Sequence, residues 1–221
     1  MLRLRVIALL TIVCLALCLG CQRQPKTTAE VPRVFSPRYS IAVMPFSQPT
    51  ESCDLIMGQL PENQGCIPAE QLMLLDSDLR TLLLSKKNGR DFSFETALPA
   101  FLATSTSFHT SAQPQALPHW AKLARKTGKD FILVPQVLDW RDREGSKAGV
   151  TSAAGVKLEF FLIRTETGTV SKHAIFEENQ VGLTTNLLTV GDFVKRKGAW
   201  ISGRELATEG MQRMLGEMGL Y

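Results

Sequence analysis

A chain of 221 residues with 44% hydrophobic and 21% charged residues is not a wholly disordered polymer, and it carries material for one domain with a proper core. The formal net charge of +4 falls to +2 once Arg3 and Arg5 of the leader are set aside, and both signs are scattered along the remainder. That balance excludes a nucleic-acid footprint, which needs a clustered basic face with interleaved aromatics.

Arg3 and Arg5 precede an uninterrupted apolar run, Val6 to Leu19, followed by Gly20-Cys21 and polar Gln22-Arg23-Gln24. As a helix the run would be about 21 Å long, short of the ~30 Å hydrocarbon core, so residues 1–20 read as a cleaved signal peptide. Leu17-Cys18-Leu19-Gly20-Cys21 resembles the lipobox of bacterial lipoproteins, in which a small residue precedes the cysteine that takes diacylglycerol. Cys18 stands where that pattern usually has leucine. The resemblance implies a mature chain starting at Cys21 and held by fatty acyl groups such as palmitate. Gln22 replaces the Asp that keeps many such proteins in the inner membrane, which implies the periplasmic side of the outer membrane.

With Cys14 and Cys18 removed and Cys21 acylated, Cys53 and Cys66 remain in an oxidising compartment and are expected to form a disulfide. The intervening Asp54 to Gly65 is turn-rich, and chain entropy would give the bridge about 3 kcal/mol. A thiol redox site is the alternative, but no C-x-x-C pattern supports it.

Residues 21–39 contain Pro25, Pro32 and Pro37 with few large apolar groups, and read as a flexible tether to a single domain over 40–221. Ser40 to Phe46 is a short β-rich run closed by proline, predicted to be a buried strand. Leu72, Leu75, Leu79, Leu82 and Leu83 recur at helical spacing from Pro68, and Asn88-Gly89 ends that helix. Asp91 to Gln115 has no clean period, though Phe92 to Glu95 reads as a short strand. Pro118 to Thr127 is a helix with Trp120, Leu123 and Ala124 inward and Gly128 as its stop.

Phe131 to Trp140 is a strand interrupted by Pro135, which predicts an edge or a bulge there. A charged loop, Arg141 to Gly149, leads into the strand Val156–Arg164. Glu166-Thr167-Gly168-Thr169 turns it back into an antiparallel partner, Val170–Phe176. Ser202 and Glu205 make the capping box of a last helix, whose Leu206, Gly210, Met214 and Met218 share a face. The order predicts an α/β (α+β) sandwich, a mixed sheet with a late antiparallel hairpin packed by about three helices.

Ile41-Ala42-Val43-Met44-Pro45-Phe46, Gly128-Lys129-Asp130-Phe131-Ile132-Leu133-Val134, and Leu158–Ile163 with Thr167-Gly168-Thr169-Val170 resemble, in order and spacing, three segments of one group of envelope proteins. That group contains the curli-secretion lipoprotein CsgG, the lipoprotein LpoB and the amino-terminal domain of TolB. Pro135 stands where it usually has glycine, and the added segments of a CsgG-like pore are lacking. The resemblance implies an anchoring or partner-binding module without catalysis; fold analogy alone does not establish function.

Asp139, Asp142 and Glu144, interleaved with Arg141 and Arg143, offer a cation or acid/base cluster, but a solvated loop neutralised by its arginines is the simpler reading. Glu177 and Glu178 have the same standing. His109, His119 and His173 lack any metal-ligand spacing, and no nucleophile elbow, phosphate loop or dinucleotide fingerprint occurs. No metal or other cofactor is implied. Phe193, Lys195, Arg196, Lys197 and Trp200 form a basic-aromatic stretch suited to a partner or to anionic headgroups, unless Phe193 and Trp200 staple the last helix. The sequence therefore points to an envelope accessory protein that binds a protein or polymer partner in assembly or transport. A periplasmic hydrolase or a small-ligand-binding lipoprotein is the alternative.

Overall fold

The computed structural model describes residues 35–86, 89–96, 113–146, 150–180 and 199–220, which belong to one compact unit, Pro32–Tyr221. Residues 1–34, which include the expected leader and Cys21, lie outside the described residues. Among the described residues the strands are β1 (Ile41–Val43), β2 (Phe92–Phe94), β3 (Phe131–Arg141), β4 (Glu144–Gly145), β5 (Val150–Ser152), β6 (Gly155–Arg164) and β7 (Val170–Asn179). The helices are α1 (Ala69–Ser85), α2 (Leu117–Thr127) and α3 (Gly203–Glu217), with a 3-10 turn at Ser52–Asp54. No helix among them is long and apolar enough to cross a membrane.

The main sheet has the order β2-β1-β3-β6-β7, parallel across β2, β1 and β3 and antiparallel across β3, β6 and β7. β4 and β5 pair separately as a small antiparallel hairpin. The architecture is thus the expected α/β sandwich with a mixed sheet and three helices.

Alternation along the strands builds two cores. Ile41, Val43, Phe131, Leu133, Leu158, Phe160 and Leu162 face α1 and α3, meeting Leu75, Leu79 and Leu83 of the first and Leu206, Met211 and Met214 of the second. Ala42, Met44, Ile132, Val134, Phe161 and Ile163 face α2, meeting Trp120 and Ala124. Strands buried on both faces read as continuous apolar runs. Each fully buried Leu, Ile or Phe contributes roughly 1.5–3 kcal/mol, and β3 and β6 carry many of them.

Pro135 is not at an edge, because β3 is central. Phe131 donates its N–H to Ser40 and Val137 donates to Ser47, so the absent N–H of Pro135 falls on the same side, between them. The opposing chain bulges there: Met44 donates its N–H to Leu133 and Ser47 donates to the Pro135 carbonyl, so the partner takes four steps, Val43 to Ser47, against three from Leu133 to Gln136, and the N–H of Phe46 turns to Asp76. Proline in a central strand costs no ladder bond at such a bulge. A second register shift, in the pairing of β3 with β6, lies further on, between Val137 and Asp139.

Packing also extends upstream of Ser40. Phe35 is buried, donates its N–H to the carbonyl of Gly219, and sits with its ring 5.0 Å from Phe131 and 5.5 Å from Tyr39. Composition alone leaves Phe35 and Tyr39 in the tether; the aromatic contacts join them to the domain.

Candidate functional site

The carboxylate–arginine cluster after β3 is divided among three structural tasks. Asp139, only 7% exposed, accepts the N–H of Gly65 at 2.7 Å on one oxygen and Arg141 Nη2 at 2.9 Å on the other. Arg141 reaches on to Asn179 Oδ1 of β7 at 2.7 Å. Asp142 Oδ1 accepts the N–H of Gly203 at 2.8 Å, capping the first turn of α3, and the Arg143 guanidinium donates to the Trp200 carbonyl. Glu144 is exposed on β4. The cluster fastens the 48–67 loop, β7 and α3 to the end of β3, and no metal-holding group of His, Cys, Asp and Glu occurs among the described residues.

His173 and Glu159 are brought together by a register that sequence spacing did not reveal. Phe161 pairs with His173 and Glu159 with Ile175, so the two polar side chains are diagonal neighbours on one face. His173 Nε2 lies 3.2 Å from Glu159 Oε2, and the imidazole stacks on Phe161 at 4.4 Å. Glu177 pairs with Lys157 at 3.0 Å, and Glu178 is also engaged. His119 lies on α2 and is partnered, while His109 lies outside the described residues.

The expected Cys53–Cys66 bridge is corrected: both cysteines are free. Cys53 is buried in the 3-10 turn, where burial and then the Asp54 carboxylate push its thiol up, whereas Cys66 is exposed. The preceding Gly65 is held against β3 through Asp139, and a side chain there would meet the Trp140 carbonyl. The loop is thus fixed by backbone and amide contacts, including Gln64 Nε2 to the Leu138 carbonyl at 2.9 Å. Composition and the expectation of an oxidising compartment carry no information about these contacts.

Of the basic-aromatic stretch, Phe193, Lys195, Arg196 and Lys197 lie outside the described residues, and half-buried Trp200 accepts the bond from Arg143. Two concave surfaces flank α1. One, about 280 Å³, opens at the carboxyl ends of β1 and β2 between Met44, Met73, Asp76, Arg80 and Phe94. Its Arg80 guanidinium lies over the Phe94 ring at 4.6 Å. Burial pushes the Asp76 carboxyl up, and the N–H of Phe46 pulls it partly back. The other is a shallow groove of about 720 Å³ between α1 and α3, with Leu82 and Ile201 beside Asp78 and Arg204. Arg204 grips Asp78 with two bonds of 2.7 Å, which raises its own pKa.

The opposite end of the sheet, where β1 and β3 begin, is aromatic and basic. Phe35, Tyr39 and Phe131 form a mutually packed trio with centroids 5.0–5.5 Å apart. Arg90 lies 5.3 Å from the Phe35 ring, Lys172 5.5 Å from it, and Arg164 4.7 Å from the Phe131 ring. Arg90 donates to the Phe35 and Ser36 carbonyls and Lys172 to that of Met218. Burial lowers the pKa of both, and the nearby Arg90 charge adds to the effect on Lys172.

No protein-family model matches the chain, and no curated protein matches it significantly. Among solved structures it is similar to the PelC dodecamer from Paraburkholderia phytofirmans, at 15% identity over 85% of this chain and 92% of that one, with a TM-score of 0.46. It is similar to lipoprotein GNA1162 from Neisseria meningitidis, at 16% identity over 72% and 94%, with a TM-score of 0.35. The LpoB carboxy-terminal domain from Salmonella enterica aligns at 13% identity over 64% and 84%, with a TM-score of 0.32. At TM-scores below 0.5 none of these decides what this chain does, and its own residues carry the functional reading.

Proposed function

We propose that this chain is a lipid-anchored accessory protein of a bacterial cell envelope, facing the periplasm from the outer membrane and binding a protein or polymer partner in assembly or transport. The observation that carries this reading is Cys21 placed directly behind Gly20 and the apolar run Val6–Leu19, with arginines before the run and polar residues after it. The polar segment after Cys21 serves as the tether. Cys21 is the lipidated residue, and the role asks no catalysis of the domain.

The chemistry of the described residues is compatible with that role. Asp139, Asp142, Arg141 and Arg143 hold elements together, and Glu177 pairs with Lys157. The open α1–α3 groove combines apolar patches with the Asp78–Arg204 pair, the mixed lining that suits a polar partner surface.

The test is affinity recovery of the lipidated protein from detergent-solubilised envelopes, with Cys21→Ala as control and mass spectrometry as readout. One defined envelope complex recovered with the native chain and lost with Cys21→Ala is expected. Identical recoveries from both, or recovery of no envelope component, would contradict the proposal.

A further inference from the structure

The aromatic and basic end of the domain is also where the chain enters it. Phe35 lies at the centre of the trio, and only residues 22–34 separate it from Cys21. Fourteen residue steps reach at most about 50 Å even fully extended, so an anchor at Cys21 keeps this end near the bilayer.

Charge distinguishes this end. Arg38 is exposed beside the aromatic trio, and Arg90, Arg164 and Lys172 surround the rings. Arg125 and Lys126 in the last turn of α2 are exposed nearby, with Arg125 close to Gly168 in the β6–β7 turn. Lys129 is already paired with Asp91 at 2.7 Å. The other carboxylates at this end are Asp130, bound to Ser40, exposed Glu166, and Glu217 in the last turn of α3, paired with Arg213 at 3.0 Å.

Part of this excess answers the three helices, whose negative carboxyl ends all lie here. Lys172 Nζ on the Met218 carbonyl at 2.7 Å is one such contact. The dipoles do not exhaust it. Three half-charges leave the end positive, and Arg90 Nε is buried without a hydrogen-bond partner among the described residues. Arg23, Lys26 and Arg33 against Glu30 give residues 22–34 the same sign.

We infer that this end is the membrane-facing surface of the domain, docking on anionic phospholipid headgroups of the bilayer that holds the anchor. The inference rests on the lipid-anchored reading. It identifies the contact chemistry as headgroup phosphate, attracted within a Debye length of about 8 Å by the exposed cations. The rings and buried arginine keep the cationic face in a fixed shape. Trp200 lies at the other end of β3, where its carbonyl accepts from Arg143.

Hydrogen–deuterium exchange of the full lipidated chain tests it, in phosphatidylcholine vesicles with and without phosphatidylglycerol, at low and high salt. Amides within 35–40 and 164–169 are expected to exchange several-fold more slowly on the anionic vesicles. High salt and the combined Arg38→Glu, Arg125→Glu, Lys126→Glu variant, with unchanged circular dichroism, should each abolish the difference. Equal exchange on both vesicles, or protection confined to 193–200, would overturn the inference. Equal protection by soluble polyphosphate without phosphatidylglycerol would also overturn it, assigning the surface to an anionic polymer. The intact mass of the same sample reports acylation separately, so failure of the anchor and failure of the surface are read apart.

Discussion

The carboxylate of Asp76 on α1 accepts the backbone N–H of Phe46 at 2.7 Å, in the bulge where the chain after β1 departs from its regular pairing with β3. One side chain thereby satisfies a backbone donor that the ladder has released and fixes the helix against the strand. Asp76→Leu removes the acceptor and should cost about 1–3 kcal/mol. Asp76→Asn keeps an acceptor oxygen and sheds a half-buried charge, so its unfolding free energy at neutral pH should equal or exceed the native value. Because burial raises the folded pKa, the native contribution is fully present below the unfolded carboxylate value and is lost as pH rises through the folded one. Urea titrations of both variants at pH 4 and pH 7 check the sign.

Asp130 behaves oppositely. The Ser40 backbone N–H and hydroxyl, each at 2.8 Å, hold its carboxyl below the usual range. Its contribution is present above the unfolded carboxylate value and is lost as pH falls through the folded one. Asp130→Asn should therefore be less stable than the native protein at neutral pH, with the gap closing as acid is added. A gap that persists unchanged below pH 2 would contradict this assignment.

Gly210 lies where α3 crosses β7, and a Cβ there would sit 2.4 Å from Phe176 Cδ1. Gly210→Ala should cost about 1–3 kcal/mol through overpacking, despite its better helix propensity. Combining it with Phe176→Leu should recover part of the loss, and thermal melts of the single and double variants measure the coupling.

The N-terminus of α3 is served twice, by Ser202 Oγ on the N–H of Glu205 at 3.2 Å and by Asp142 on the N–H of Gly203. Ser202→Ala and Asp142→Ala should each cost about 0.5–2 kcal/mol in denaturant titrations. The Asp142 change should also loosen the β4–β5 hairpin from α3, seen as faster amide exchange at Glu144 and Gly145.

Free thiols make a direct prediction. Under non-reducing conditions Cys66 should react with a maleimide in the native protein, while Cys53 should react only after unfolding. Two unreactive cysteines in the denatured, unreduced chain would restore the bridge.

Local rules read most of the elements. The Ser202–Glu205 capping box and the leucine period of α1 depend on neighbours within one helical turn, and both hold. The Thr-Gly turn holds too, with Gly168 at φ 71°. Of the two expectations for Pro135 the edge fails, since β3 is central, and the bulge holds, since the partner takes four steps from Val43 to Ser47 against three from Leu133 to Gln136. The Glu159–His173 pair and the clamp of Asp139 on Gly65 join residues 14 and 74 positions apart. No spacing rule reaches that far. The basic end was equally invisible, since Arg38, Arg90, Arg164 and Lys172 meet only when β1, β2, β6 and β7 are assembled.

The measurement that bears most directly on the central claim is mass spectrometry of the amino-terminal peptide from the membrane-extracted protein. The expected result is a chain that begins at Cys21 and carries a diacylglycerol mass on that residue. A chain beginning at Met1, or one cleaved elsewhere and without acyl mass, would contradict it.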